Sequence, residues 1–305
     1  MLTICNYHYI RNSFENQYPS IFGVTQEQFD NQIRELGKTY SFITLEALQN
    51  DIQNVLSSDI NFMLITFDDG LKEQYEYALP ILNMHKIPAY FFINTINHIE
   101  RKVSAVHKIH LVRSVISPDE IIKLIQGKFG RKITALEKNT AQSFYHYDDP
   151  ANASVKYLLN IILNPIEVES FIDSFFCDYF DEEDMVKKLY MNQDEIINLA
   201  KLGYIGSHTH SHLPLALYSE NRIISELKIS KKYLETLCNE PIISVAYPYG
   251  KDAAINDKIG DLAHEEGYQL GFTTITGTNT TNSNLLLLNR YDCNDLPGGK
   301  NYSQL

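Results

Sequence analysis

Residues 62–70 read Phe62-Met63-Leu64-Ile65-Thr66-Phe67-Asp68-Asp69-Gly70, an apolar run that stops at two adjacent carboxylates and a glycine. A short run of aliphatic and aromatic residues without polar alternation describes a strand buried on both faces, the kind found in parallel sheets covered by helices. A helix signal follows directly. From Leu71 to His85, Tyr75, Ala78, Leu79 and Leu82 fall at i, i+3, i+4 and i+7, one apolar face that can pack on such a sheet.

Working outward, six more segments share this strand character: 2–7, 89–93, 204–206, 243–247, 270–275 and 285–288. Helix signals lie between them: Thr25 before QEQFDNQIREL, Thr44 before LEALQNDIQNVL, Asn192 before QDEIINLAKL, and the runs 220–237 and 255–266. Alternating strands and helices imply a mostly parallel sheet, and seven such units favour closure into an α/β barrel over an open sheet. The spacing breaks once, over residues 98–190. No good strand occurs there, but PDEIIKLIQGKF, ASVKYLLNIIL and PIEVESFIDSFF are helix-like, and a structureless loop of that length is improbable in a compact domain. The segment is therefore read as a helical insertion within a single domain spanning 1–305. Its FYHY at 144–147 is read as helix packing, with stacking on a sugar as the alternative.

Composition narrows the function. The chain has 305 residues, 44% hydrophobic and 21% charged, with a formal charge of −12, so it can bury a sizeable core while its field repels phosphate backbones. Nucleic acid is not an expected partner. No apolar run is long enough to span a bilayer, and the start, MLTICNYH, lacks the features of a signal peptide, so a cytoplasmic location is expected. Cys5, Cys177, Cys238 and Cys293 have no metal-site spacing and are read as reduced thiols.

Three strand ends carry chemistry. At Asp68-Asp69 the two side chains diverge, so one can bind a metal while its neighbour reaches the attacking water; a plain Asp-Gly turn is the alternative. Gly206-Ser207-His208-Thr209-His210-Ser211-His212 puts three histidines in five residues, with His208 and His212 four apart on a helical turn or in a tight loop. Such a cluster is costly to satisfy in an apolar core, and imidazole suits zinc and similar ions. Asp69 with His208 and His212 would leave coordination positions open for water and substrate. The same donor set describes non-haem iron oxygenases, but an oxygenase needs no second carboxylate, whereas a metal-assisted hydrolase needs a base such as Asp68. In Val245-Ala246-Tyr247-Pro248-Tyr249-Gly250, Pro248 restricts the backbone, so the Tyr249 amide can be held ready for a developing oxyanion; packed aromatics in a strand-ending turn are the alternative.

ITFDDG, YALPIL with IPAYFFIN, IGSHTHSH, SELKISKKYLE, AYPYG and EEGY, in this order, resemble the polysaccharide deacetylase family, carbohydrate esterase family four. The resemblance implies a distorted (β/α)7 barrel, here with a helical insertion. It implies Asp68 as general base, Asp69, His208 and His212 as ligands of one divalent metal, and His210 at a variable position. The metal is zinc first, with cobalt, nickel or iron as alternatives. Two positions depart from the family pattern. Ala246 stands where many members carry Arg, and the stretch after the last strand offers Asn289 and Arg290 instead of a catalytic His. AYPYG is similar to the circularly permuted poly-N-acetylglucosamine deacetylase-like subgroup, in which that His comes from the first strand; His8 answers to it. Arg290 is read either as holding Asp68 ionised in place of the missing Arg or as a surface residue.

The resemblance implies removal of an N-acetyl group from a sugar, a surface-glycan precursor or oligosaccharide. A hydrolase of a non-sugar amide and a non-catalytic sugar-binding protein are the alternatives. The long insertion and the expected cytoplasmic location favour short substrates over long polymers.

Overall fold

The computed structural model describes residues 1–13, 23–145, 148–251 and 254–302. Seven strands carry the first compact unit: β1 (Leu2–Tyr7), β2 (Phe62–Phe67), β3 (Ala89–Ile93), β4 (Ile205–Ser207), β5 (Ser244–Ala246), β6 (Leu270–Phe272) and β7 (Tyr291–Asp292). They pair in parallel in the order β7-β1-β2-β3-β4-β5-β6, and Ser41–Phe42 adds a short pairing to β2. A parallel bridge from Phe272 to Leu288 links β6 to the segment leading into β7, so that segment and β7 lie between β6 and β1. Ile10–Arg11 and Val24–Thr25 form a separate small ribbon.

Alternation along the strands sorts the side chains. Cys5, Tyr7, Met63, Ile65, Phe67, Phe91 and Ile93 belong to one cluster, packed with helix residues such as Ile33, Leu82 and Leu227. Ile4, Leu64, Tyr90, Phe92, Phe272 and Leu288 belong to a second. The rings of Phe92 and Phe272, on strands that are not neighbours, sit 5.2 Å apart, so the second cluster fills the inside of the curled sheet. The parity that puts Ile4 and Leu64 inside also puts Asn6, His8, Thr66 and Asp68 on that face, above the apolar layers. Gly206 belongs to the same packing: a Cβ there would lie 2.4 Å from the Phe92 ring.

Three elements differ from the sequence expectation. The run 285–288 is a turn, not a strand; the Asn284 side chain accepts from the Leu286 N–H and only Leu288 is fully buried, so the strand forms later, at Tyr291–Asp292. The segment after Thr44 breaks at Asp51 into two short helices, Leu45–Asn50 and Ile52–Ser57. The helix after Gly70 opens with a π-turn over Gln74–Ala78 before Leu79–His85, which buries Gln74 and leaves Tyr75 half-buried.

The second compact unit takes in residues 103–185 and is helical among its described residues. Four of its helices start on side-chain caps, at Ser117, Thr134, Asp149 and Asn164. A buried Lys108 is paired with Asp173 at 2.6 Å and Glu182 at 2.8 Å, which satisfies its charge. Of the FYHY run, His146, Tyr147 and the Phe144 side chain lie outside the described residues. All four cysteines are free thiols, and among the described residues no helix is long and apolar enough to cross a membrane.

Candidate active site

Strand β2 ends at Phe67, and the Asp68 N–H makes one more ladder bond, to Tyr7 O at 3.0 Å. Asp69 and Gly70 then take φ values of +80° and +63°, left-handed geometry that Asp tolerates better than most residues. Gly70 meets two constraints at once, since a Cβ would also approach Ile93 to 2.9 Å. The turn separates the two carboxylates.

Asp68 is 2% exposed. Arg290 grips it with two parallel bonds, Nη1 to Oδ1 at 2.8 Å and Nη2 to Oδ2 at 2.7 Å. Asn6 Nδ2 donates to Oδ2 at 3.0 Å, and His8 Nε2 lies 4.0 Å from the same oxygen. Burial by itself would raise the Asp68 pKa, but the Arg290 guanidinium, with help from the His208 and His8 imidazoles, brings it down to about 2. Arg290 is itself buried and anchored, with Nε donating to Thr273 O at 2.7 Å and Nη1 to Asn6 Oδ1 at 3.0 Å. Of the two readings of Arg290, the surface one is excluded.

Asp69 turns the other way. Its Oδ1 lies 3.5 Å from His208 Nε2 and 3.2 Å from His212 Nε2, and three donor atoms of this trio lie within 4.8 Å of one another. His208 Nδ1 donates to Ala246 O at 2.8 Å, which leaves the lone pair on Nε2 facing Asp69. The position without the family's Arg thus serves through its carbonyl. Burial alone would lower the His208 pKa, but the Asp68 and Asp69 carboxylates raise it overall. Two imidazoles and a carboxylate converging in one buried spot fit a divalent transition metal.

The His-rich segment is a tight loop, with Thr209 and His212 at φ +62° and +56°. Buried Glu226 holds it by accepting from the His210 N–H at 3.1 Å and the Ser211 N–H at 2.6 Å, while Asn94 Nδ2 donates to His208 O at 2.6 Å. His210 turns away from the trio, with Nδ1 2.9 Å from Thr95 Oγ1 and Nε2 3.1 Å from Glu100. Tyr249 is left-handed at φ +62° and 47% exposed, with its ring 5.0 Å from that of His212.

The structure therefore brings Asp68, Asp69, His8, His208, His212, Tyr249 and Arg290 to one end of the sheet. Sequence reasoning missed Asn6 and Glu226. Asn6 was open to detection, being two residues before His8 and thus on the same strand face; Glu226, in the middle of an amphipathic helix, gave no local signal.

The sequence profile of a family described as polysaccharide deacetylase matches residues 57–126 and 176–271. The putative polysaccharide deacetylase YxkH of Bacillus subtilis strain 168 is 28% identical over 104 residues, 34% of this chain and 36% of that protein, so the similarity spans about a third of the relative. Among solved structures, Streptococcus pyogenes deacetylase PplD in complex with acetate superposes with TM-score 0.58 at 19% identity, covering 95% of this chain and 91% of the other. IcaB from Ammonifex degensii gives 0.54 at 16%, covering 95% and 91%. BC0361, a polysaccharide deacetylase from Bacillus cereus, gives 0.54 at 18%, covering 96% and 64%. At these identities the superpositions establish the fold: a curled sheet of parallel strands with helices.

Proposed function

Because the chain belongs to the polysaccharide deacetylase family, we propose that it is a metal-dependent hydrolase that removes the N-acetyl group of a sugar. The observation that carries this reading is a buried carboxylate, Asp68, held ionised by Arg290 beside the Asp69, His208 and His212 donors. A divalent ion held by those donors, zinc in our reading, supplies polarisation of the amide carbonyl and acidifies the attacking water, so that a base as weak as Asp68 suffices.

Asp68 accepts the proton of that water. Its bonds to Arg290 and Asn6 keep it in one orientation and return it to the ionised form after each turnover. The Tyr249 backbone N–H donates to the oxygen on which negative charge builds during attack. His8 passes a proton to the departing sugar amine, for which a side chain 42% exposed has access from solvent.

The test is release of acetate and free amine from N-acetylated sugars by the metal-loaded protein. Asp68→Asn should lower turnover by about 10²–10⁴-fold while metal content is unchanged, because it removes a base and not a ligand. A variant that lost metal yet regained activity in excess metal would reverse the two aspartates.

A further inference from the structure

We propose that Gln74 is a positioning residue for the His8–Asp68 pair, its side-chain amide tying together the ends of the two strands that carry them. The kinetic consequence rests on the deacetylase reading, whereas the geometry does not.

Tyr7 and Phe67 are the last paired residues of β1 and β2, and the Asp68 N–H to Tyr7 O bond is the end of their ladder. Beyond it, Gln74 Nε2 donates to His8 O at 2.8 Å and to Asp68 O at 2.6 Å. Both amide hydrogens are used, so one planar group sets the spacing between two backbone segments where no strand pairing does so. The side chain is fully buried, and Gln74 Oε1 has no hydrogen-bond partner among the described residues. Flipping the amide would aim an oxygen at two carbonyl oxygens, so the donors are forced to face His8 and Asp68. The two donors satisfy the carbonyls of His8 and Asp68, and Oε1 is left unpaired in exchange.

The local backbone is arranged around this contact. The Leu79 N–H donates to Gln74 O, five residues back, which widens the helix into a π-turn; such turns are frequent at functional sites. A regular helix would favour Tyr75 on the sheet face, whereas here Gln74 is fully buried and Tyr75 packs half-buried against the same core. The left-handed Asp69 and Gly70 bring the chain round so that Gln74 meets the carbonyl of Asp68 six residues earlier. Without the tie, His8 Nε2 would no longer be held 4.0 Å from Asp68 Oδ2.

Gln74→Met removes both donors at nearly constant length; Gln74→Asn, too short to reach both carbonyls, serves where the first variant does not fold. In folded, metal-loaded protein, kcat for acetate release should fall by about ten- to a hundredfold with KM changed less than about twofold. In a His8→Ala background the same substitution should change kcat by less than about threefold, because Asn6 and Arg290 still hold the Asp68 carboxylate and the ring that the tie places beside it is gone. Equal losses in both backgrounds, or none in the first, would overturn the proposal. A crystal structure of the variant decides independently of activity: a displaced His8 ring is expected, and an unchanged His8–Asp68 separation would refute the role. If wild type released no acetate, the deacetylase reading would fail while that structure still settled what Gln74 holds.

Discussion

Replacing Arg290 by methionine leaves Asp68 with its charge buried, at 2% exposure, and without the guanidinium that makes two bonds of 2.8 and 2.7 Å to it. In the native protein the carboxyl is held at about 2 against an ordinary 3.8, which corresponds to about 2 kcal/mol of stability. A depressed pKa gives stability that is present above about 3.8 and is lost as pH falls through about 2. Removing one partner of a buried pair does more than forfeit this, because desolvation then acts unopposed; a loss of about 3–5 kcal/mol is expected at neutral pH. For a chain of this size that is a fall in Tm on the order of 10 °C. Thermal melts of chelator-treated protein, followed by circular dichroism, isolate the pair from any metal contribution. The deficit should shrink toward pH 4, at which the variant's Asp68 takes up a proton and is no longer a buried charge. Arg290→Met combined with Asp68→Asn should recover most of the loss, since neither charge remains. A single variant within about 1 kcal/mol of wild type, or a double variant no better than the single, would refute the reasoning.

The protein should bind one divalent ion per chain, and His208→Ala should lose it; elemental analysis showing undiminished metal in the variant would remove Asp69, His208 and His212 as the ligand set. His8→Ala should retain metal and lower kcat by about 10²-fold or more, as expected for loss of an acid at the leaving group, and full activity would eliminate His8 from the chemistry. Acetate release measured across chain lengths should be greatest on mono- and oligosaccharides. Activity rising steadily with polymer length would overturn the short-substrate reading and leave deacetylation intact.

The parts of the site legible in the sequence are those made by a strand and the turn that ends it. Phe62–Phe67 followed by Asp68-Asp69-Gly70 carries its strand and its left-handed turn within nine residues, and His208 and His212 are brought together by a loop of five. Local backbone preference decides both, so both can be read without the rest of the chain. The alternation of strands and helices likewise determined the parallel barrel, because apolar periodicity records which faces must be buried. Tertiary structure alone decided whether Arg290 meets Asp68, 222 residues away, or points to solvent: a guanidinium beside an apolar stretch suits either, and only closure of the first strand against the last brings the two together. It also decided that Leu285–Leu287 would turn, with Leu288 bridging to Phe272, and that Gln74 would be fully buried while Tyr75 is only half-buried. In each case the local sequence was compatible with either outcome, and contacts such as those of Leu288 with Gly271 and Thr273, of Gln74 with His8 and of Arg290 with Asp68 came only with the fold.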